Sequence, residues 1–589
     1  MFDNGIFPEF WSEGVVIAVP KSGDLSDPNN YRPIILVSVL SKIFTSILTK
    51  RMVNWAEDEE KLIDNQFGFR PGRSTIDAIF VMHGIIQHLL HHKHKVFCAF
   101  VDFRKAFDKV IRRILWYKLL LSGLSSKFIS IVKSVYESVR LRIRTDGNLS
   151  NAFDNFLGVK QGELLSPLLF LFFINDIIQD IHADDSDGIF KLNNYLIYLI
   201  LFADDTVLFS KSPETLQILL DKLSVYCRKW NIVVNSDKTK VMVFRNGWQP
   251  VNVNFYYEGH ELEIVNSYIY LGMLLHFNGK FAQTQKRISQ QGSRALSSLI
   301  NSLSKVYITI KQKCLLFNSM VGSVLNYASE IWGFHRANEV EIVHNRFCRN
   351  VLKLGRNVPK FFLYGELGHL PMSVIRKYRI IKYWLHILHD KPKFVYDVYK
   401  LLCTDAALGK VNWAYKIRDL LYNLGLNYVW LEQENINVSF EYIKNRINDQ
   451  YYQNWHASLT DCEKLSLYCS YKTDFVFENY LHFDCNFAIL TKLRSGTLKL
   501  YVETGRYDNT PRLNRVCKCC FMNCIEDEYH FVLICPTFRS LRCHFLPKYY
   551  CSWPNTRKLK LLLCSESRSL TNKLCQYLNA AWKLRSQII

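Results

Sequence analysis

The sequence has no proline- or glycine-rich stretch, no fixed-period repeat and no low-complexity tract. Boundaries between its domains therefore have to be inferred from changes in residue pattern. Long apolar runs are also missing, since residues 164–177 are interrupted by polar residues and proline and residues 196–202 are short. Neither run is long enough to span a bilayer, and we predict no membrane anchor.

Acidic residues are scarce relative to basic ones. The chain has 53 Asp and Glu against 74 Lys and Arg, a net charge of +21 over 589 residues. A surplus of that size predicts a polyanionic partner such as nucleic acid, although a basic surface facing water would give the same count. The length and the 49% hydrophobic content predict several packed domains.

A secretory signal is missing as well, because residues 1–11 carry two acidic residues and no basic cluster ahead of an apolar core. We therefore expect an intracellular protein. Its 17 cysteines are an odd number in a long chain that we expect to lie in the cytosol or nucleus. Most of them should be reduced thiols in the core, with metal ligation where their spacing allows.

Three aspartates follow segments of strand pattern. An apolar run over residues 96–101 is followed by Asp102 and then by a helix-compatible stretch towards Leu120. Residues 196–202 and 206–209 are typical of two strands, and their connection carries Asp204 and Asp205. The sequence thus predicts an acidic hairpin tip that can meet the carboxyl end of another strand.

Three converging carboxylates suit two-metal chemistry. Nucleotidyl transfer requires stabilisation of the attacking 3'-oxygen and the leaving pyrophosphate, which two divalent cations provide. Oxygen ligands favour a hard ion, so we predict two Mg²⁺ ions, with Mn²⁺ as the alternative, held by Asp102, Asp204 and Asp205. Asp is also common in turns without any catalytic role, so the pair alone is weak evidence.

The residues around these aspartates resemble the palm motifs of non-LTR (LINE-like, jockey or RTE-type) retrotransposon reverse transcriptases. The three central segments are Ala99-Phe-Val-Asp-Phe-Arg-Lys-Ala-Phe-Asp108, Gly158-Val-Lys-Gln-Gly-Glu-Leu-Leu-Ser-Pro167 and Leu201-Phe-Ala-Asp-Asp-Thr-Val-Leu-Phe209. The resemblance extends to Asn30-Tyr-Arg-Pro33, Gln66-Phe-Gly-Phe-Arg-Pro-Gly-Arg-Ser-Thr75, Asn235, Lys238-Thr-Lys240, Tyr270-Leu-Gly272 and Tyr327-Ala-Ser-Glu-Ile-Trp-Gly333. It covers about the first 380 residues, and Tyr270-Leu-Gly272 is similar to the primer grip.

The resemblance assigns roles to further residues. It makes the three aspartates the metal ligands, adds the carbonyl of Phe103, and places Phe107 where a bulky ring excludes a ribose 2'-hydroxyl. On periodicity alone, Phe107 would instead be a core aromatic. The resemblance places Gln161 and Gly162 against the template and the nascent base pair, where glycine permits close backbone approach. Glu163 replaces the aspartate more usual in the family.

Two pairs of basic residues are candidates for phosphate chemistry. Arg70 and Arg73 lie in a turn-rich loop and could bind the triphosphate, although loop arginines are often simply solvated. Lys238 or Lys240 could donate a proton to the leaving pyrophosphate as general acid. The sequence does not choose between the two lysines.

A second candidate metal site lies near the C-terminus. Cys517, Cys520, His530 and Cys535 have the spacing C-x2-C-x9-H-x4-C, which suits tetrahedral Zn²⁺. Cys519 and Cys524 are competing ligands, and a group of reduced thiols without metal is the alternative. Similar segments in the family imply a role in binding the element's RNA.

The predicted fold class is α+β, a right-hand polymerase with fingers, a palm built on an antiparallel sheet and a helical thumb. We place fingers and palm at residues 1–275, the thumb at 276–345, a helical region at 346–510 and a zinc-knuckle-like segment with tail at 511–589. An apolar stripe over residues 296–306, preceded by Lys286, Arg287 and Arg294, supports the basic helical thumb.

The predicted function is RNA-directed DNA synthesis, with an RNA template, a DNA primer or target and dNTPs as partners. The alternative is a truncated, catalytically silent relic that at most binds nucleic acid. The family usually carries an endonuclease ahead of the polymerase, so we expect target nicking to come from elsewhere. A chromosomal target implies action in the nucleus, with a cytoplasmic RNA-bound phase.

Two other polymerase classes fit less well. A group II intron maturase-like polymerase shares the palm, but Tyr364-Gly-Glu-Leu-Gly368 and the Cys/His end resemble the retrotransposon group. An RNA-dependent RNA polymerase is disfavoured by Phe107, whose ring would block a ribose.

Overall fold

The computed structural model describes residues 6–21, 24–137, 139–145, 147–181, 188–193, 195–247, 251–433, 437–483 and 486–589. The strands, labelled β1 to β15 in chain order, are Gly14–Pro20, Tyr31–Val37, Val96–Val101, Arg140–Thr145, Asn148–Leu149, Phe153–Asp154, Phe190–Leu192, Tyr195–Ile197, Leu199–Phe202, Asp205–Ser210, Lys240–Phe244, Phe255–Tyr257, His260–Ile264, Ser267–Tyr270 and Met273–His276.

The α-helices are labelled α1 to α25 in the same way. They are Val39–Asp58, Thr75–His91, Arg112–Leu121, Ser126–Glu137, Ser166–Ile174, Ile177–Asp180, Pro213–Trp230, Ala282–Leu303, Ile310–Phe317, Ser323–Leu325, Ser329–Trp332, Asn338–Leu352, Lys360–Leu367, Met372–Asp390, Lys393–Ala407, Trp413–Asn423, Asn427–Leu431, Phe440–Thr460, Ser466–Cys469, Ala488–Arg494, Tyr501–Thr504, Arg539–Phe545, Lys548–Cys551, Thr556–Leu563 and Arg568–Ile588. Mixed α+β structure is thereby confirmed.

The chain divides into two compact units. The first comprises Met1–Phe281 and His386–Asp419, and the second comprises Ala282–Leu385 and Leu420–Ile589. The first division falls six residues beyond the predicted end of the palm at 275. The return of residues 386–419 to the first unit was not anticipated from the sequence.

The central sheet of the first unit has the strand order β12-β13-β11-β3-β10-β9. All six residues of β3 are buried, as the uninterrupted apolar run predicted. β10 and β11 flank β3 antiparallel, with Thr206 opposite Val101 and Lys240 opposite Phe100. This register brings the end of β3 beside the beginning of β10.

A second sheet of the first unit has the order β2-β1-β4-β5, with β6 also paired to β4. β1 and β2 are antiparallel, whereas β1 and β4 are parallel. The backbone N–H of Ile35 in β2 donates to the carbonyl of Gln161 at 2.7 Å. The loop that carries Gln161 is therefore fastened to this sheet.

Local structure departs from the predicted elements in two places. The predicted strand over residues 196–202 is divided into β8 and β9 at Tyr198, whose carbonyl accepts from the N–H of Phe209. The helix expected directly after Asp102 begins only at Arg112, because residues 104–109 form turns in which Lys105 has φ +53°.

The second unit is predominantly helical. The motif Tyr364-Gly-Glu-Leu-Gly368 lies in α13 and supports its packing: the Glu366 carboxylate is fully buried and pairs with Arg494 at 2.7 Å. A Cβ on Gly365 would lie 2.6 Å from Trp455. In the part of the chain that the structure describes, no helix is both long and apolar enough to cross a membrane.

Candidate active site

The acidic pair lies in a tight turn between β9 and β10. Phe202 pairs with Asp205 across the hairpin, so Ala203 and Asp204 form a two-residue turn. Ala203 has φ +56°, a left-handed conformation that a residue with a side chain adopts at a cost. The short turn holds the two adjacent carboxylates in fixed directions.

Gln66 fastens this turn to the preceding fingers segment. Its side-chain Oε1 accepts hydrogen bonds from the N–H groups of Ala203 and Gly68, both at 2.8 Å. Its backbone forms a bridge with Leu201 of β9. A Cβ on Gly68 would lie only 2.3 Å from the Ala203 nitrogen, so glycine permits the close approach.

Asp102 is held from the opposite side by the segment after α7. Its N–H donates to Oγ1 of Thr239 at 3.2 Å, and its carbonyl accepts from the N–H of Asn235 at 2.8 Å. The Asn235 side chain also acts on the Asp102 carboxylate, whose pKa it lowers against the larger effect of burial. Residues 235–239 thus fix the backbone of Asp102.

The three carboxylates influence one another. Partial burial raises the pKa of Asp102, which the charge of Lys238 partly offsets. Desolvation together with the negative charges of Asp204 and Asp102 raises the pKa of Asp205 to about 6. Desolvation and the charge of Asp102 also raise the pKa of Asp204. Such repulsion makes the ionised cluster costly without cations.

The carboxylates are spread rather than collapsed onto one point. Among the residues that the structure describes, they do not form a group whose oxygens all lie within 4.8 Å of one another. Mg²⁺ usually retains waters and takes ligands from substrate phosphates. The site offers only oxygen ligands, their negative charges repel one another, and there is room for further ligands. Hard divalent cations fit such a site.

A cavity of about 760 Å³ opens beside Asp102 and Asp204. Its basic lining residues are Lys21, Arg32, Arg104, Lys105, Lys160 and Lys238. The charge of Arg32 lowers the pKa of Asp204, and that of Lys21 lowers the pKa of Asp102, in both cases against larger burial effects. Cations facing carboxylates across an open cavity suit a polyphosphate bridged by metal ions.

Four residues that the resemblance assigned to the nucleotide line this cavity: Phe103, Phe107, Gln161 and Gly162. Phe107 stacks on Phe170 with ring centroids 4.5 Å apart, so it has core contacts as well as an exposed side. Gln161 Nε2 donates to Oδ1 of Asp108 at 2.8 Å. Gly162 has φ +109°, and a Cβ there would lie 2.7 Å from the Ile35 carbonyl oxygen.

Glu163, the residue that departs from the family's aspartate, is almost fully buried. Its Oε1 accepts from Oγ1 of Thr45 at 2.5 Å and from the Leu164 N–H at 3.0 Å. The nearby Lys160 has its pKa lowered by burial to about 8, an effect that the Glu163 charge opposes. Glu163 therefore supports the loop of Gln161 and Gly162 from behind.

The triphosphate role of Arg70 and Arg73 stays a prediction, and both arginines have carboxylate partners in this structure. Arg70 is buried and pairs with Glu57 at 2.6 Å, and Arg73 pairs with Asp64 at 2.9 Å. Neither is among the residues that line the cavity. Carboxylate partners close by satisfy both guanidinium groups, and the sequence could not show those tertiary partners.

The two candidate general acids are separated by the structure. Lys238 lines the cavity, and its charge acts on Asp102. Lys240 lies in β11 and pairs with Glu263 at 2.7 Å. Of the two lysines, Lys238 is therefore the one beside the cavity and Asp102.

The hairpin of β14 and β15, which contains Tyr270-Leu-Gly272, lies beside Asp205. A smaller cavity of about 160 Å³ is lined by Asp205, Thr206 and residues 268–272. Tyr268 stacks on Phe100 of β3 with centroids 4.2 Å apart, which fixes the hairpin to the central sheet. The hairpin and Asp205 thus line the same cavity.

The sequence prediction omitted several residues that the structure places at this site. Asp108 lines the main cavity and has its pKa raised by burial, although Gln161 and Lys105 oppose that shift. Arg32 and Lys21 face the carboxylates, and Gln66 holds their turn. Asp108, Arg32 and Gln66 lie inside the motifs already quoted, so motif membership was the available signal.

The C-terminal cysteines and histidine also converge. The candidate ligand atoms of Cys517, Cys520, His530 and Cys535 all lie within 4.8 Å of one another. Sγ of Cys520 and Nε2 of His530 are 3.4 Å apart. A hydrogen bond from the Cys517 thiol lowers the pKa of Cys535. The spacing read from the sequence therefore corresponds to a compact Cys/His cluster.

The competing cysteines differ in position. Cys519 belongs to a second group with Cys517 and Glu526, whereas the Cys524 thiol donates to the Met522 carbonyl at 3.3 Å. Glu526 pairs with Arg585 of α25 at 2.7 Å. This ion pair fastens the cluster's loop to the C-terminal helix.

The cavity brings carboxylates and basic side chains together, an arrangement that suits two-metal nucleotidyl transfer. Residues 19–275 match the family model described as reverse transcriptase (RNA-dependent DNA polymerase). Residues 19–275 are therefore similar to reverse transcriptases, in agreement with the resemblance seen in the sequence.

Two of the similar proteins are polymerases of Drosophila melanogaster transposons. The chain is 28% identical to the probable RNA-directed DNA polymerase from transposon BS, over 59% of this chain and 39% of that protein. It is 24% identical to the RNA-directed DNA polymerase from mobile element jockey, over 64% of this chain and 42% of that protein. The chain thus spans less than half the length of these relatives.

The solved structures give a weaker likeness. Apo telomerase from Candida tropicalis matches 75% of this chain and 70% of its own, at 12% identity and a TM-score of 0.37. A likeness that low bears on neither function nor mechanism.

Proposed function

We propose that the chain is the RNA-directed DNA polymerase of a non-LTR retrotransposon, which adds dNTPs to a primer 3'-hydroxyl on an RNA template. The position of Asp102 and Asp204 at a cation-lined cavity, together with the electrostatic coupling of Asp205 to both, carries the proposal. The reverse transcriptase domain and its transposon relatives support the template and primer classes.

Asp102, Asp204 and Asp205 would hold two Mg²⁺ ions, with Mn²⁺ as the alternative. When bound, these ions supply Lewis acidity at the attacking and leaving oxygens. The chain's own residues have separate tasks: Asn235 and Thr239 orient Asp102, and Lys238 donates a proton towards the leaving pyrophosphate.

Phe107 would select deoxyribonucleotides. Its ring lines the cavity and is stacked on Phe170, so it cannot swing away freely from an incoming sugar. A ribose 2'-hydroxyl directed at a fixed ring meets steric repulsion, whereas the smaller deoxyribose fits. Replacing Phe107 with alanine should lower the ratio of kcat/KM for dNTP over rNTP about tenfold or more.

Zn²⁺ is our proposal for the cluster of Cys517, Cys520, His530 and Cys535. Three thiols and one imidazole within 4.8 Å match the usual structural zinc ligand set. By resemblance to the family, we assign this segment a role in binding the element's RNA. We also place the protein's action in the nucleus, where chromosomal DNA would supply the primer.

The decisive experiment is extension of a DNA primer on an RNA template with Mg²⁺ and dNTPs. Wild-type chain is compared with Asp204→Asn plus Asp205→Asn, and Asp221→Asn on the exposed side of α7 is the control. Extension should disappear in the double variant and persist in the control.

Binding of the same primer–template duplex checks that each variant is folded. A folded, duplex-binding wild type that extends nothing would instead support the alternative, a silent relic with the same fold. Extension that survives in the double variant would remove the acidic pair from the mechanism.

A further inference from the structure

Histidines are concentrated at the end of α2. His88, His91, His92 and His94 lie within seven residues, and His88 and His92 are four positions apart. That spacing places both imidazoles on one side of the helix end. The ring centroids of His88 and His92 are 4.6 Å apart, and neither residue lines the cavity beside Asp102 and Asp204.

A carboxylate from a distant part of the sequence lies between them. Asp405 is in α15, in the segment of residues 386–419 that returns to the first unit. Its Oδ2 is 2.8 Å from Nδ1 of His88, and its Oδ1 is 3.2 Å from Nε2 of His92. The Asp405 side chain is 3% exposed, whereas that of His92 is 40% exposed.

Close helix packing sets this geometry. A Cβ on Gly84 of α2, one turn before His88, would lie 2.4 Å from Cγ1 of Val398 in α15. The missing side chain lets the two helices approach, and the approach brings Asp405 against the two histidines. The Phe190 ring lies edge-on to His88, with ring centroids 5.8 Å apart.

We propose that His88, His92 and Asp405 form a binding site for a transition-metal ion, Zn²⁺ being the ion that the ligands suit best. One atom from each residue can be chosen so that all lie within 4.8 Å of one another. Two imidazoles and one carboxylate are a common zinc ligand set, with bonds of about 2.0–2.2 Å. The exposed edge of His92 leaves access for the ion and for a water as fourth ligand.

Binding requires lone pairs on Nδ1 of His88 and Nε2 of His92. In the metal-bound chain the protons of both neutral rings therefore reside on the other ring nitrogens, and Asp405 is ionised. The ion would tie residues 386–419 to α2, so it stabilises the folded first unit by mass action. This role is independent of the proposed polymerase reaction.

The test counts zinc per chain in full-length protein by elemental mass spectrometry after removal of loosely bound metal. His92→Gln removes a ligand at an exposed position, and His94→Gln is the matched control because it removes an exposed neighbouring imidazole outside the group. His92→Gln should hold one zinc fewer than the wild type, and His94→Gln should equal it. The Cys/His cluster contributes equally to all three, so the difference isolates this site.

A second measurement uses the wild type alone. Zn²⁺ should slow diethyl pyrocarbonate modification of His92 at least tenfold relative to the metal-free chain, while modification of His94 stays unchanged. Equal zinc content in wild type and His92→Gln, or equal modification of His92 with and without Zn²⁺, would overturn the proposal. The three side chains would then be a hydrogen-bonded group that compensates a buried carboxylate.

Discussion

The side-chain oxygen of Gln66 accepts a hydrogen bond at 2.8 Å from the backbone N–H of Ala203, the residue before the acidic pair. One carboxamide therefore connects the fingers segment to the turn that carries Asp204 and Asp205. Because that oxygen also accepts from Gly68, its loss would leave two buried N–H groups without their acceptor.

Gln66→Leu should reduce primer extension at least tenfold while the chain stays folded. Each unsatisfied N–H costs about 1–3 kcal/mol, and the turn would shift to regain solvent or another acceptor. The measurement is kcat for single-nucleotide addition. The control is Gln217→Leu, which removes an acceptor of the Tyr256 N–H at 2.9 Å on an exposed surface. An equal loss of kcat in both variants would show that Gln66 is not needed to hold the acidic turn.

Lys238→Ala should lower kcat about 100-fold, because a general acid contributes on the order of 10²–10⁴ in rate. Lys240→Ala is the matched control, since Lys240 is occupied by its ion pair with Glu263. Single-turnover rates at several pH values distinguish the two. A larger loss in Lys240→Ala than in Lys238→Ala would reverse the assignment.

Asp205→Asn should stabilise the metal-free chain above pH 6 while abolishing extension. The pKa of Asp205 is raised from 3.8 to about 6, so ionisation destabilises the fold. That destabilisation is absent below pH 3.8, develops as the pH rises towards 6 and is complete above it. Melting temperatures of the two chains should therefore coincide at low pH and separate at pH 8.

Magnesium supplies the control for this prediction. Mg²⁺ at pH 8 should raise the melting temperature of the wild type by neutralising the carboxylates, and it should raise that of Asp205→Asn less. A wild type more stable than the variant at pH 8 without metal would show that the carboxylate has a favourable partner.

Cys520→Ser should lower both the zinc content and the melting temperature of the chain, because a structural zinc site contributes folding free energy. Cys524→Ser is the control, since that thiol hydrogen-bonds the Met522 carbonyl and lies outside the compact cluster. Elemental analysis and thermal unfolding followed by circular dichroism provide the readouts. Loss of zinc in Cys524→Ser but not in Cys520→Ser would show that Cys524 is the ligand.

Several features could be predicted from local sequence. The apolar run of residues 96–101 is β3 at its predicted bounds, and the acidic pair lies at the β9–β10 turn, because burial pattern and turn chemistry are encoded within a few residues. The spacing of Cys517, Cys520, His530 and Cys535 also anticipated their convergence. Each of these features depends on residues that are close together in the sequence.

Other features depend on contacts between distant residues. Arg70 and Arg73 looked available for phosphate, but Glu57 and Asp64 engage them. The sequence does not distinguish Lys238 from Lys240 as a general acid. The folded sheet places Lys238 at the cavity and Lys240 beside Glu263.

The sequence by itself determined the identity and order of the motifs that resemble reverse transcriptases, the basic charge and the spacing of the Cys/His cluster. Tertiary structure alone decided that Gln66 holds the acidic turn and that Asp405 meets His88 and His92, 317 and 313 residues away. The physical reason is that residue type and periodicity constrain neighbours along the chain. The partner of each charged group is decided by how the whole unit packs and buries its residues.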